Sequence, residues 1–452
     1  MRNLTMKVFA KIPPILWFSI ITFLGLTSFN IIRSYGNPNQ TYFSGGNNQL
    51  ILDVSNADKK QGIESFKQGD YDEAIKHFKA SLSQQKNDPE TLIYLNNAKI
   101  NQDFFKIAVV VPINSNPNIA QEILRGVAQA QDEINQQGGI QGKPLKVLIA
   151  DDGNLPENAQ KIATQVVADE TVLAVVGHNA SNASLAAAPI YQKAGVVMIT
   201  PTSFANNLSG LGDYIFRVVP STKAMVQPLV NYFTRLPQNP NLAICYDSEA
   251  PDNVSFKDEF LATFLAKGGK LVPLVCDLSS PNFDPQKMIN QARSQGAKGL
   301  LMTPHIDRLD QVIALAQANQ NQLTLLSSPT LYTIKTLEQG QNQVKGLVVS
   351  IPWHPQSNKN NAFITDSYRY WGARVNWRTA MAYDATWAIA KGLRQNSTRE
   401  GLKNTLHNPS FFVSGATGTF KFLPSGDRLG SAYLAQIQST GQGNDFVLLK
   451  SP

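Results

Sequence analysis

The alternation of strand-like and helix-like segments from Phe104 onward is the sequence feature that most restricts the fold. Continuous apolar, β-branched runs such as FKIAVVVPI and TVLAVVG are typical of strands buried on both faces of a parallel sheet. Helical segments separate these runs, for example from about 119 to 137, where Gly138 and Gly139 end the helix. Regular alternation predicts an α/β fold with a parallel, doubly wound sheet, because each strand returns through a helical crossover.

The same rhythm restarts after Pro220 and predicts a second sheet. Its expected strands are LAICYD, KLVPLVCD, GLLMTP, LTLLSSP and LVVSIPW, and a long helix is expected over 380–392. We therefore predict a domain over 104–452 with two lobes joined by a hinge. The first lobe is assigned to about 104–220 and 352–430, and the second to about 221–351 and 431–452. Such sheets bind ligands at the carboxyl ends of their strands, and two lobes can close around a ligand.

The amino-terminal residues 1–33 predict a signal-anchor or transmembrane segment. Arg2, Lys7 and Lys11 precede an apolar run over 12–29, close to the roughly 20 residues that cross a bilayer. The positive flank predicts a cytoplasmic amino end. A cleaved signal peptide is the alternative, although no persuasive cleavage site follows the run. We expect the chain to be membrane-anchored on the extracytoplasmic (periplasmic) face of a bacterial inner membrane, with a flexible linker over 34–54.

Residues 55–100 predict a small α-helical hairpin and a further helix. The stretch QGIESFKQGDYDEAIKHFKASL resembles one tetratricopeptide repeat. The positions that carry the resemblance are Gly62, Gly69, Tyr71, Ala74, Phe78 and Leu82. One such repeat cannot bury its own apolar face. We therefore expect the hairpin to pack on the next domain or to bind a protein partner.

Composition and motifs argue against nucleic acid, metal and catalysis. The net charge of +7 is spread thinly and forms no basic block of the kind that binds nucleic acid. The five histidines show no metal-ligand spacing, and the nucleophile-elbow, HExxH, P-loop and dinucleotide motifs do not occur. We expect no enzyme activity, no metal and no cofactor.

Residues from about 105 to 447 resemble the type I periplasmic binding proteins of the branched-chain amino acid transporter group. The segments that carry the resemblance are IAVVVPI, INQQGGIQGKPL, VLIADDGNLPENA, VVADETVLAVVGHNASNASLAAAPIYQKAGVVMITPTS and YIFRVVPS. The resemblance implies that a small solute, such as an amino acid or an amide, is captured between the lobes. It also implies an ABC permease or a membrane receptor as partner.

The resemblance places candidate ligand-binding residues in the loops that follow the strands. Ser181 is expected to meet a ligand carboxylate, with His178, Asn179 and Ala180 around it. A loop that enters a helix amino terminus also presents free N–H groups to an anion. The remaining candidates are Thr202 and Ser203 in the next loop, and Asp247, Tyr332 and Tyr383 on the second lobe and hinge. Simple helix capping is the alternative role for the Ser and Asn side chains.

Three positions depart from the relatives. Phe204 stands where amino-acid-binding relatives carry Thr, and Lys345 stands where some carry an acid for the ligand ammonium. Residues 250–253 replace a Tyr-Gly pair. Because Lys345 would repel an ammonium group, either the alignment slips, or Lys345 faces solvent, or the ligand is not an ordinary α-amino acid.

The two cysteines, Cys245 and Cys276, follow neighbouring predicted strands. Export favours a disulfide, but bridges between adjacent parallel strands are uncommon, and we expect two free thiols.

Two functional hypotheses follow. The first is an extracytoplasmic solute-binding protein for an ABC importer or a membrane sensor. The second is a membrane-anchored assembly protein that keeps a ligand-free binding-protein fold and uses the tetratricopeptide-like hairpin as a docking surface.

Overall fold

The structure is a computed structural model that describes residues 42–237, 241–357, 362–441 and 443–449. The predicted membrane anchor over 1–33 and the first part of the predicted linker, 34–41, lie outside these residues. Within the described ranges, no helix is both long enough and apolar enough to cross a membrane. The anchor therefore stays a prediction.

The first lobe is built on a seven-stranded sheet that is parallel except at one edge. Its strands, in spatial order, are β1 (Phe43–Ser44), β3 (Leu145–Asp151), β2 (Phe105–Val111), β4 (Val172–Val176), β5 (Val197–Thr200), β6 (Ile215–Pro220) and β14 (Asp427–Arg428). The last five residues of β2 are buried, as expected for a central strand covered on both faces. The predicted doubly wound parallel sheet is confirmed.

Helices cover both faces of this sheet. They are α4 (Pro117–Gln136), α5 (Pro156–Ala168), α6 (Ser181–Ala194), α13 (Trp377–Gln395) and α14 (Arg399–Leu406). Helices α4 and α13 approach closely at Gly126, where an added Cβ would lie 2.2 Å from the carbonyl oxygen of Thr379. This contact brings the start of α13, from later in the chain, against α4.

The second lobe is built on another seven-stranded sheet. Its strands, in spatial order, are β16 (Gly443–Leu448), β15 (Tyr433–Thr440), β11 (Val348–Ile351), β10 (Thr324–Ser327), β9 (Gly299–Thr303), β7 (Asn241–Tyr246) and β8 (Lys270–Leu271). Its helices are α7 (Thr222–Thr234), α8 (Pro251–Ala266), α9 (Pro285–Ser294), α10 (Leu309–Asn319) and α11 (Ile334–Gly340). Strands β15 and β16 form an antiparallel hairpin that pairs with β11.

The chain passes between the sheets after β6, after β11 and after β14. Helix α12 (Ala362–Trp371) follows the second of these connections, and the short strands β12 (Val413–Gly415) and β13 (Gly418–Phe420) precede the third. Crossings of this kind allow two lobes to move about a hinge. The residue boundaries predicted for the lobes stay predictions.

Residues 55–100 form three helices that pack on the first lobe. They are α1 (Ala57–Gln68), α2 (Tyr71–Gln84) and α3 (Pro89–Ala98). The buried ammonium of Lys59 pairs with Asp88 at 2.9 Å and with Glu90 at 2.7 Å, which joins α1 to the start of α3. The side chain of Asn97 donates to the carbonyl of Val147 in β3 and accepts from its N–H, at 2.7 and 3.1 Å. The helices therefore pack against the next domain, as expected. The tetratricopeptide assignment stays a prediction.

The prediction of a flexible linker is wrong for residues 42–54. Strand β1 pairs antiparallel with β3, and Ile51 is only 1% exposed. The N–H groups of Leu50 and Ile51 donate to the buried carboxylate of Glu90. Although the segment is rich in Asn and Gly, these tertiary contacts offset the entropy of ordering it.

The expectation of free thiols is also wrong, because Cys245 and Cys276 form a disulfide with their Cα atoms 4.6 Å apart. The predicted strand KLVPLVCD is extended only at Lys270 and Leu271. Pro273 cannot donate to a ladder, and the segment continues irregularly beside β7. The disulfide therefore joins Cys245 in β7 to Cys276 in a loop. Disulfides between adjacent parallel strands are rare, but this one does not join two such strands.

Candidate functional site

The carboxyl ends of the strands of both sheets face a small cavity between the lobes, which we call the interlobe cavity. Its volume is about 40 Å³. It is lined by Ile119, Asn179, Ala180, Thr202, Phe204, Asp252, His305, Ile306, Thr330, Trp377 and Arg378. Both lobes contribute side chains, as expected for a ligand site at this edge of doubly wound sheets.

The first-lobe wall contains the amino terminus of α6, which has no side-chain cap. Ala180 is the capping residue, and it offers no hydrogen-bond acceptor in its side chain. The amides of the first turn therefore present partial positive charge toward the cavity. The hydroxyl of Thr202 donates to the carbonyl of Asn179 at 2.8 Å and fixes the loop that carries them. This wall favours an anionic group.

The second-lobe wall contains two titratable side chains. Asp252, at the start of α8, and His305, after β9, line the cavity. Burial raises the pKa of Asp252, and the charge of His305 lowers it in part. Burial also opposes the charged form of His305, but the hydrogen bond to Asp307 and the charges of Asp252 and Asp247 raise its pKa overall. Asp252 is the acid of this wall, and His305 is its base.

A hydrogen bond across the cleft brings the two walls together. The amide of Asn116, just before α4, donates to Asp307 of the second lobe at 3.1 Å. Nearby, the N–H of Asn206 donates to the hydroxyl of Ser255 at 3.1 Å. These contacts describe two lobes that are closed on each other.

A family model described as periplasmic binding protein matches residues 105–442. The chain belongs to this family. A Pseudomonas aeruginosa protein named "Amino acid binding protein" is 33% identical over an alignment of 131 residues that covers 25% of this chain and 35% of that relative. A second P. aeruginosa relative, "Leucine-, isoleucine-, valine-, threonine-, and alanine-binding protein", is 23% identical over 339 residues, which are 72% of this chain and 87% of the relative.

Solved structures agree on the fold. A Desulfitobacterium hafniense ABC transporter substrate-binding protein, solved in complex with Leu, has a TM-score of 0.65 and 22% sequence identity. The similarity covers 76% of this chain and 100% of that one. The predicted type I periplasmic-binding-protein fold is confirmed. Because the family consists of extracytoplasmic binding proteins for small molecules, the prediction that the chain is not an enzyme is also confirmed.

In this binding protein, three predicted ligand residues line the interlobe cavity, namely Asn179, Ala180 and Thr202. Ser181 and Ser203 are buried beside it. The hydroxyl of Ser181 accepts from the N–H of Ala205 at 3.3 Å, and that of Ser203 donates to the carbonyl of Asn179 at 3.0 Å. Both hydroxyls therefore hold the two loops in place.

His178 does not line the cavity. Its ring is fully buried, with Nδ1 2.6 Å from a carboxylate oxygen of Asp152 and Nε2 3.2 Å from the hydroxyl of Tyr191. Both ring nitrogens are therefore engaged in the core of the first lobe. The predicted place of His178 beside the ligand is not supported, because its ring contacts Asp152, which follows β3.

The predicted second-lobe and hinge residues are not among those that line the interlobe cavity either. Asp247 is buried, accepts from the N–H of Glu249 and lies 3.5 Å from Arg308. The hydroxyl of Tyr383 donates to Glu133 at 2.5 Å on the contact between α13 and α4. Tyr332 lines a second, larger cavity.

The departures at Phe204 and Lys345 have different consequences. Phe204 is buried in the cavity wall, and its ring meets Phe256 edge to face at 6.2 Å. Lys345 is exposed and precedes the amino end of β11, whereas the cavity lies at the carboxyl ends. Of the alternatives for Lys345, the structure supports exposure to solvent. The residue of the second lobe that follows β10 and lines the cavity is Thr330.

Arg378 is a site residue that could not be identified from sequence alone. It lies at the second position of α13 and is 3% exposed. Its Nη1 donates to the carbonyl of Tyr332 at 2.9 Å and lies 3.3 Å from Glu122. Its guanidinium also stacks over the ring of Trp377. Only the tertiary fold brings these partners together.

Proposed function

We propose that this chain binds a small zwitterionic amino acid or its amide in the interlobe cavity. The observation that carries the proposal is the placement of a helix amino terminus in one wall and of an acid in the other. The uncapped amino terminus of α6 faces a second-lobe wall that contains Asp252. A ligand with an anionic end and a cationic end fits this arrangement in one orientation.

The anionic end is assigned to the first lobe. Carboxylates are stabilised at helix amino termini by free N–H groups and by the helix dipole. The hydroxyl of Thr202 lies in the same wall and is able to turn from Asn179 toward a ligand. Ser181 and Ser203 act through the loops that they hold.

The cationic end is assigned to Asp252. An ammonium group near this carboxylate favours its charged form and offsets the effect of burial on its pKa. The relatives named for leucine, isoleucine, valine, threonine and alanine support an amino acid as ligand class. Asp252 lies in the stretch that replaces the Tyr-Gly pair of relatives. The ligand contacts proposed on this side are therefore specific to this chain.

The size of the cavity favours a small ligand. A water molecule needs roughly 10–15 Å³ on this measure, so about 40 Å³ admits only a few atoms unless the lobes part. Phe204 occupies space that a Thr would leave open. We infer that the side chain of the ligand is short.

We further propose delivery of the ligand to an ABC permease or to a membrane sensor, with the predicted anchor holding the chain at the membrane. The family to which the chain belongs supports this role. The predicted protein partner at the helices over 55–100 stays part of this proposal.

Binding can be tested by thermal unfolding and calorimetry with a library of amino acids, amides and organic acids. A ligand at a hundredfold excess over its Kd stabilises the native state by about 2.7 kcal/mol. We expect glycine-sized or alanine-sized zwitterions to bind, and Asp252→Asn to weaken them roughly tenfold or more. Asp258→Asn, which makes the same substitution at an exposed position of α8, is the matched control.

The assembly hypothesis is favoured by one observation, the small size of the interlobe cavity. Its volume is about 40 Å³, and Phe204 in its wall packs on Phe256. If no compound in the library raises the melting temperature, the solute-binding proposal is wrong and a ligand-free assembly role replaces it.

A further inference from the structure

A second cavity lies on the other side of Arg378, and we call it the large cavity. Its volume is about 960 Å³, within the range of cavities that hold drug-sized ligands. None of the residues that line it also lines the interlobe cavity. Arg378 links the two, since it lines the interlobe cavity while its guanidinium contacts Glu122 and Tyr332 in the wall of the large one.

One end of the large cavity is apolar and aromatic. The rings of Tyr332 and Phe446 stack with centroids 4.3 Å apart, and Ile334 and Leu337 of α11 complete this wall. Ile334 is 50% exposed, which is unusual for a large aliphatic side chain beside a cavity. A ligand that covers these side chains would gain free energy by burying apolar surface.

Two arginines and two acids line the large cavity, namely Arg125, Arg374, Glu122 and Asp445, and the buried Arg378 adds a third guanidinium beside Glu122. Arg125 of α4 lines the cavity, and Arg378 meets the same acid, Glu122, whose charge acts on both guanidinium groups. At the rim, Arg374 pairs with Asp445 at 2.8 Å, so each has its counter-charge. Burial lowers the pKa of Arg125, and Glu122 offsets this only in part. An additional anion beside Arg125 would therefore be stabilised.

We propose that the large cavity is a second ligand site, which takes an organic carboxylate with an aromatic or branched aliphatic body. The carboxylate meets the guanidinium of Arg125, and the body covers Phe446, Ile334 and Leu337. This inference does not depend on which ligand occupies the interlobe cavity. It assigns a binding role to residues outside the strand-end loops.

The amino-terminal helices contribute to this site. The side chain of Asn87, between α2 and α3, accepts a hydrogen bond from Nε of Arg125 at 2.8 Å. That bond uses Nε, so the Nη groups keep their donors for a ligand in the cavity that Arg125 lines. Asn87 is therefore a positioning residue for Arg125, and the helices over 55–100 help to build a ligand site.

The test uses the full chain purified in detergent and compares 3-phenylpropionate with 3-phenylpropionamide by calorimetry. These probes share an apolar body and differ in charge. We expect the carboxylate to bind roughly tenfold more tightly, because a charge-assisted hydrogen bond is lost in the amide. Arg125→Gln should lower the affinity for the carboxylate roughly tenfold to hundredfold and leave that for the amide unchanged.

Three further variants make the result specific. Arg125→Lys should keep part of the preference for the carboxylate, and Asn87→Ala should weaken it several-fold without changing the affinity for the amide. Arg369→Gln removes an exposed arginine from α12 with the same change in net charge, and it should have no effect. Melting temperatures of all variants show whether each remains folded. If Arg125→Gln does not fold, the affinities of Arg125→Lys and Asn87→Ala for the two probes test the proposal.

Four outcomes would overturn the proposal. They are equal affinity for both probes, equal losses in Arg125→Gln and Arg369→Gln, a loss with Asp252→Asn instead of with Arg125→Gln, and no binding at millimolar concentrations. The third outcome would assign the probe to the interlobe cavity, and so distinguishes this inference from the proposed function.

Discussion

Arg378 belongs to the first lobe, but its Nη1 donates a hydrogen bond to the carbonyl oxygen of Tyr332 in the second lobe, 2.9 Å away. The same guanidinium lies 3.3 Å from the buried carboxylate of Glu122. One side chain therefore satisfies a buried charge within its own lobe and a backbone acceptor on the other. Its removal should affect both the stability of the first lobe and the closure of the cleft.

We predict that Arg378→Gln lowers the free energy of unfolding by about 3–5 kcal/mol, because Glu122 is left buried without its partner. Urea denaturation measures this loss. The double variant Glu122→Gln/Arg378→Gln should recover part of it, since no buried charge then remains unpaired. A double variant that is less stable than Arg378→Gln would contradict the assignment.

Replacing Phe204 with Thr, the residue of the relatives, should enlarge the interlobe cavity. We expect a loss of about 3 kcal/mol in stability, as for other large-to-small changes in a core, together with new binding of branched-chain amino acids. Phe260→Thr, at a fully buried position of α8, provides the control for stability without a change of ligand. Calorimetry with leucine distinguishes the two; equal affinity in both variants would show that Phe204 does not limit the ligand.

Asp151 should make the stability of the protein depend on pH. Its buried carboxylate accepts from the N–H groups of Asn114 and Gly153, and burial raises its pKa from 3.8 to about 6. Because the native state then binds a proton more tightly than the unfolded chain, stability falls as the pH rises from about 4 to about 6 and stays lower above that. The change amounts to about 3 kcal/mol at most.

Asp151→Asn should remove this part of the pH dependence, because the amide does not titrate and its oxygen, in the place of Oδ1, still accepts from Asn114 and Gly153. Denaturation of both proteins between pH 4 and pH 7 tests the expectation. Parallel curves across that range would show that Asp151 does not titrate there.

Reduction of the disulfide between Cys245 and Cys276 should destabilise the second lobe. The loop-entropy relation gives about 3–4 kcal/mol for a sequence separation of 31 residues. Unfolding of the wild type with and without a thiol reductant measures the loss, and the Cys245→Ser/Cys276→Ser variant should be insensitive to the reductant. A reductant effect of equal size in the variant would have another origin.

The parallel sheets could be predicted from sequence because strands such as β2 carry their own pattern of continuous burial. The path of the chain at the end of KLVPLVCD could not be predicted, since Pro273 interrupts the ladder and the path beyond it depends on the contact with β7. The prediction for residues 42–54 is wrong for a related reason. Their composition predicts disorder, and only the tertiary pairing with β3 and Glu90 orders them.

For the candidate site, the strand-end rule and the family resemblance correctly brought Asn179, Ala180 and Thr202 to one edge. They did not separate residues that line the cavity from residues that support it. The resemblance places His178 beside the ligand by its position in the loop, whereas its ring contacts Asp152, which lies 26 positions away in sequence and gives no local signal. Arg378 was missed because a charged residue near the start of a helix is usually solvated.

The pairing of β1 with β3, reinforced by the amide of Asn97, closes what would otherwise be an open sheet edge. An unprotected edge is a template for association with other chains. A truncated protein that begins near residue 101 would expose this edge together with the apolar face of α4 that α3 covers. Such a fragment should self-associate, so Tyr42 rather than Phe104 marks the start of the smallest piece suitable for expression.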